Sequence, residues 1–193
     1  LVITAGILVL AQPSESQGRE SAWTSFGTDS GLPYSKVYSI AASKGEVWAG
    51  MDGAVATFAA NSTWVSMAPP GLGTRVTCIT IVKGSVWLGT FGNGLFRYSE
   101  GVWESYTVDN GLQDNRLEDL TSDGDYLYIA TSGGGSRTSL DGAAPSFQKI
   151  GAADLPENTT SAVAVLKDVV WFGTNANGIL GFDRGSLGFK KQV

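Results

Sequence analysis

Lys36, Arg75, Arg116 and Thr159 occupy equivalent places in four similar stretches of the chain, so three of the four places carry a cation. Three cations brought to one mouth would focus positive potential there and favour an anionic ligand, an acidic oligosaccharide or a small carboxylate. As solvated strand ends they would do no chemistry. Asp52, Asn93, Ser132, Asn175 and Asn177 fall in short polar loops that would face the same mouth and add hydrogen-bonding groups. Glu118 and Asp119 are adjacent carboxylates in a stretch that is otherwise strand-like. Successive strand side chains point to opposite faces, so the two cannot share one task. Pairing with Arg75 or Arg116 is the first reading, ahead of an oxygen-liganded Ca²⁺. The run SDGDY (122–126) has aspartates spaced loosely as in a calcium loop, and reads better as a tight hairpin turn. No metal or cofactor site is assigned.

Missing residue types narrow the chemistry further. The 193 residues include no histidine, which removes Ser/His and Cys/His nucleophile pairs and His-ligated zinc. The single cysteine, Cys78, lies in the apolar run VTCITIV, where a buried, inert thiol is expected and an intrachain disulfide has no second partner. A net charge of −5 argues against binding nucleic acid, whose affinity rests on Lys and Arg neutralising phosphates, and against anionic membrane surfaces. Nothing in the repeated region suggests membrane insertion.

These residues must be positioned by a repeat. EVWAGMDG (46–53), SVWLGTFG (85–92), YLYIATSG (126–133) and VVWFGTNA (169–176) align on Trp48, Trp87, Tyr128 and Trp171. Two places on stand Gly50, Gly89, Ala130 and Gly173, followed by Met51, Thr90, Thr131 and Thr174. An apolar segment precedes each, and a Gly-led strand follows it. A further strand opens on an aromatic at Trp23, Trp64, Trp103, Phe147 and Phe189. Turns read DSGLP, PPGLG, DNGLQ and ADLPE. With 26 Gly and six Trp, the composition fits many short strands joined by tight turns. A four-strand unit of about forty residues cannot bury both faces of its sheet alone, whereas stacking units around an axis buries them.

The expected fold is therefore all-β, a β-propeller of four blades with four antiparallel strands each. The repeat units run 23–63, 64–102, 103–146 and 147–193. Four inner strands against five outer ones predict an open part of a six- to eight-blade ring, with strand 23–26 awaiting the last blade. Residues 1–11 (LVITAGILVLA) suit a truncated signal peptide or the remnant of a membrane anchor, and 12–22 a polar linker. Periplasmic or extracellular location follows from that reading.

The pattern D-x-G-L-P, V-x-x-I and W-x-G-T with a following Gly-aromatic strand resembles the two-component regulator propeller repeat. It is clearest in DSGLPYSKVYSIAASKGEVWAGMDG and RVTCITIVKGSVWLGTFGNGLFRY. The third unit has YIAT in place of Trp-x-Gly-Thr, and the fourth lacks the turn glycine. The resemblance implies an extracytoplasmic sensor propeller of a bacterial hybrid histidine kinase, or a secreted relative, binding a small molecule or oligosaccharide. Further blades and signalling domains would then lie outside this chain. The resemblance carries no ligand residues to transfer. Two other classes stay open. One is a catalytic propeller resembling streptogramin or glycan lyases, with its active residues elsewhere. The other is a protein-docking scaffold, for which Tyr34 is the one exposed aromatic candidate in the loops.

Overall fold

Each aromatic-led repeat element forms the second strand of an antiparallel sheet in the computed structural model, which describes residues 24–58, 63–142, 144–150 and 159–190. Segments 1–11 and 12–22, and Trp23, lie outside the described residues. The first sheet joins β1 (Ser39–Ser43), β2 (Glu46–Gly50), β3 (Val55–Phe58) and β4 (Trp64–Ser66) in that order. The second joins β5 (Val76–Val82), β6 (Ser85–Thr90), β7 (Leu95–Ser99) and β8 (Val102–Tyr106). The third holds β9 (Leu117–Ser122), β10 (Tyr126–Thr131), β11 (Gly134–Ser139) and β12 (Phe147–Ile150). The last holds β13 (Thr160–Leu166), β14 (Val169–Thr174) and β15 (Ile179–Asp183). The outer strand at Trp64, which opens the second sequence unit, closes the first sheet.

The inner strands pack in series, β1 on β5, β5 on β9 and β9 on β13. Apolar clusters fill each junction between consecutive sheets. Trp48 of the first sheet meets Val76, Leu88 and Phe96 of the second. Trp87 and Leu95 meet Leu117 and Ile129 of the third, and Tyr128 meets Phe172 and Phe182 of the last. This is the blade stacking of a propeller, laid out as an open arc.

The repeat columns have physical causes. A Cβ on Gly50 would come within 2.6 Å of Val76 Cγ1 in the next blade, and one on Gly89 within 3.1 Å of Leu117 Cβ. Small residues there let neighbouring inner strands approach. The threonine column closes the loop between second and third strands. Thr90, Thr131 and Thr174 hydroxyls donate to the carbonyls of Gly94, Gly134 and Gly178, at 2.7, 2.6 and 3.0 Å. The same hydroxyls accept from the backbone N–H of Asn93, Gly133 and Asn177. The G-L turn serves packing too. Gly111 is left-handed (φ +100°), ends the 3₁₀ turn Val108–Asn110 and drops Leu112 into the junction between sheets two and three.

Cys78 is buried, as expected, and desolvation pushes its thiol up to about 12. The outer strand expected at Phe189 shrinks to a single bridge with Phe182. The Asp183 side chain accepts from the N–H groups of Gly185 and Ser186 and holds the chain in a turn where a strand would continue. Residues 24–27 form no strand either. The edge they would pair with lies at the far end of the arc, and Phe26 instead packs on Phe58, with centroids 5.2 Å apart.

Polar groups lock the third sheet to the last. Arg137 is buried; its guanidinium lies over Tyr126, Nε donates to Gln148 Oε1 at 2.8 Å, and Nη1 donates to the Arg184 carbonyl. Arg184 in turn reaches Asp123 and Asp125 at 2.8 and 2.9 Å. The SDGDY turn is thus a hairpin whose carboxylates face a guanidinium, and no metal-holding group of acidic residues occurs among the described residues. Burial works against the Asp123 charge. The N–H groups of Tyr126 and Asp125, the Tyr128 hydroxyl and Arg184 outweigh it and hold the carboxyl below its usual range. Its stabilising contribution is therefore full above the unfolded value near pH ~4 and is lost as pH falls through the lower folded value. The stability gap between the native chain and Asp123→Asn, read by urea unfolding, is expected to stay constant above about pH 5 and to narrow progressively as pH falls below about 4. A gap that stays constant would contradict the pairing.

Candidate functional site

The loop-side ends of the inner strands bring the predicted cations together. Arg75 and Arg116 directly precede β5 and β9, Thr159 precedes β13, and Lys36 lies three residues before β1. Backbone bridges link Asp52 of the first blade to Arg75 of the second, and Phe91 of the second to Arg116 of the third. Arg75 and Arg116 are therefore each set by the blade before them as well as by their own.

Aromatic rings separate the cations. Lys36 Nζ lies 4.8 Å from the Tyr38 centroid, and the Arg75 guanidinium lies 4.2 Å from the same centroid. Phe91 follows, 5.4 Å from Arg75 and 3.9 Å from Arg116. The result is a ladder of Lys36, Tyr38, Arg75, Phe91 and Arg116 across three blades. A cation over a ring face contributes roughly 0.5–1 kcal/mol where exposed and ~2 kcal/mol where desolvated. The stacking orients the guanidiniums without neutralising them. Arg116 pairs with Glu118 at 2.8 Å, and Glu118 also accepts from Ser132 Oγ at 3.3 Å. Among the described residues no carboxylate forms an ion pair with Lys36 or Arg75. Arg75 Nε is shielded from solvent and meets no hydrogen-bond acceptor of the protein.

The second strand position of the inner strands adds another row. Register shifts lie between Val76 and Cys78, and between Thr160 and Ala162, with a similar one opposite Ala130–Thr131. A bulge re-aims the extra side chain, here Thr77, Glu118 and Ser161. Thr77 Oγ1 donates to the Leu117 carbonyl of the next blade at 2.7 Å. Glu118 turns to the rim. Asp119, on the other face, accepts from Leu120 N–H and, across the junction, from Val163 N–H at 2.9 Å. The adjacent carboxylates thus divide between rim and junction, and the first of the two pairs with Arg116.

The remaining predicted residues stand apart from the ladder. Asn93 spends both amide protons on the Gly71 and Leu72 carbonyls, tying its loop to the preceding turn. Thr159 Oγ1 donates to the Ser132 carbonyl. Asn175 and Asn177 lie in the exposed loop of the last sheet and make no hydrogen bond or ion pair to the ladder. Sequence reasoning missed Tyr38 and Phe91. Phe91 stands in the column of Asp52, Ser132 and Asn175, one place after the Met/Thr position, where it replaces a polar residue. That replacement was the available signal.

No protein-family model matches the sequence, and no curated protein matches it. Solved structures do. The extracellular domain of the hybrid two-component system BT3049 from B. thetaiotaomicron matches 88% of this chain at 18% identity with a TM-score of 0.74. This chain spans 26% of that one. The computationally designed Ika8 protein matches 81% at 13% identity and TM-score 0.65, and 48% of its own chain is covered. Streptogramin B lyase matches 79% at 18% identity and TM-score 0.64, with 53% of its chain covered. No helix among the described residues is long and apolar enough to cross a membrane. The arc, its sheet order and these likenesses together make the chain a β-propeller module.

Proposed function

We propose that this module is an exported ligand-binding propeller that takes an anionic small molecule or acidic oligosaccharide at its cationic rim and feeds a two-component signalling protein. The carrying observation is the ladder, in which Lys36 and Arg75 have no carboxylate partner and are held in place by aromatic rings. A carboxylate approaching Arg75 would find a charged donor already oriented, which lowers the ordering cost of binding. Phe91, 41% exposed, offers apolar area beside it. The likeness to the BT3049 extracellular domain supports the location and the sensing role. The chain also resembles streptogramin B lyase. The sequence has no histidine, so an acid–base role here would fall to carboxylates, lysines or tyrosines.

The test is calorimetric titration with a galacturonate trisaccharide, and with neutral maltotriose as control. The native chain is expected to bind the acidic sugar only. Arg75→Glu should lower its affinity at least about 30-fold, the scale of losing a charge-assisted hydrogen bond and gaining a repulsion. Arg116→Glu should do less, because Glu118 already offsets that charge. Unchanged affinity in both variants would remove the rim from the binding site.

A further inference from the structure

The second and third blades share a cross-strand row whose arginine is used differently in each. Trp87 and Tyr128 stand opposite Arg97 and Arg137, which stand in turn opposite Glu104 and Gln148. Arg137 is buried and spends its guanidinium on the next blade, Nη1 donating to the Arg184 carbonyl and Nη2 to the Gly185 carbonyl. Arg97 has no such outlet. Its Nε donates to Ser85 Oγ at 3.3 Å, its Nη1 lies 3.5 Å from Glu104 Oε2, and the Tyr106 phenol is beside it. All three partners belong to its own sheet. Among the described residues Arg97 makes no hydrogen bond to the third blade.

A cavity of about 70 Å³ lies between that row and the turn after β11. This is several times the roughly 10–15 Å³ that one water needs. Lys83, Trp87 and Arg97 line it from the second blade and Ser139 from the third. Asp141 and Glu104, the carboxylates that pair with Lys83 and Arg97, do not line it. Trp87 is 2% exposed, and its indole N–H is shielded from solvent and meets no acceptor of the protein. A buried donor left unpaired is costly, so an acceptor supplied here is stabilising. Ser139 Oγ accepts from the Asp141 N–H and so keeps its own proton to offer. The walls thus present two cations and several donors. Trp48 gives the contrast, since its N–H is unpaired too but Thr57, not an arginine, stands opposite it.

We infer that this cavity is a small-carboxylate site, separate from the rim and independent of it. Lys83 follows the last residue of β5, whereas Arg75 precedes the first, so the two sites lie at opposite ends of that strand. Formate, acetate or the end of a longer acid would accept from Arg97, from Lys83 and from the Trp87 N–H. A planar carboxylate suits a guanidinium, whose parallel N–H donors meet its two oxygens. Lys83 reaches from the cavity to solvent and pairs with Asp141 across the junction, so its ammonium stands where an acid would enter. Bound there, the acid would join donors of the second blade to Ser139 of the third. That is the tie which Arg137 makes directly, one junction further on.

Nuclear magnetic resonance of the 193-residue chain, labelled with ¹⁵N at its six Trp indoles, tests this by titration with sodium formate at constant ionic strength. The Trp87 indole resonance, identified by its loss in Trp87→Phe, is expected to shift saturably while that of Trp48 stays in place. Arg97→Gln should weaken the binding at least about tenfold, the scale of one charge-assisted hydrogen bond. Lys83→Gln, at a part-exposed turn, should weaken it about threefold. Arg75→Glu should leave the Trp87 response intact, so this site and the rim stand or fail separately. A Trp87 resonance that does not move, or that moves as far when chloride is raised instead, overturns the proposal. Full affinity in Arg97→Gln, or in Lys83→Gln should Arg97→Gln not fold, does the same.

Discussion

Gly50→Ala is expected to destabilise the fold by about 3 kcal/mol, the upper part of the usual range for overpacking. The added methyl would sit 2.6 and 2.7 Å from Val76 Cγ1 and Cβ, and 2.4 Å from Ser39 Oγ. Ser39 can turn away only by giving up its hydrogen bond to the Val76 carbonyl. Val76 is β-branched, lies on an inner strand and is stiff about χ1, so relief requires moving one blade against another. Gly173 belongs to the same column, but its nearest neighbour would be Ala162 Cβ at 3.5 Å, an ordinary contact. Gly173→Ala should therefore change chain stability by less than about 0.5 kcal/mol. Both substitutions are best measured by urea unfolding of the otherwise native chain. Equal losses would show that the column reflects strand geometry and not blade approach.

Asp119→Ala is expected to cost about 2–3 kcal/mol, because it strands two backbone N–H groups that the carboxylate satisfies. Leu120 N–H lies on its own strand and Val163 N–H on the inner strand of the next blade. The second bond joins sheets that share no ladder, so its loss should weaken the junction as a whole. Hydrogen exchange at Val163 should accelerate with the loss of stability, while the exchange of β6 amides follows only global unfolding. Asp119→Asn keeps an acceptor oxygen and should lose about half as much. If Asn and Ala were equally costly, charge and not acceptor geometry would be the operative property.

These effects separate what a linear sequence displays from what it conceals. The four-sheet repeat, the order within each sheet and the stacking of sheets were legible, though not the missing outer strand of the last sheet, because Trp48, Trp87, Tyr128 and Trp171 recur with their small neighbours at nearly constant intervals. Steric columns survive translation into sequence, since every blade faces the same neighbour. The convergence of Lys36, Arg75 and Arg116 was legible for the same reason. Tyr38 and Phe91 were not, because their role depends on rings lying between cations of different blades, a contact that no single repeat contains. Glu118 and Asp119 were visible as oddities, but their division between rim and junction follows from the register shift in β9. Asn93 looked available because loop asparagines usually are; its use by Gly71 and Leu72 depends on how the preceding turn folds back.

The stacking in series has a mechanical consequence. Among the described residues the second and third sheets are clasped on both sides, by β1 and β9 in one case and by β5 and β13 in the other. Arg75 and Arg116 are mounted on those two sheets, whereas Lys36 and Thr159 ride on the outer pair. The two guanidiniums of the ladder are thereby mounted on sheets packed from both sides. A ligand carboxylate at Arg75 would therefore meet a guanidinium whose sheet is packed on both sides.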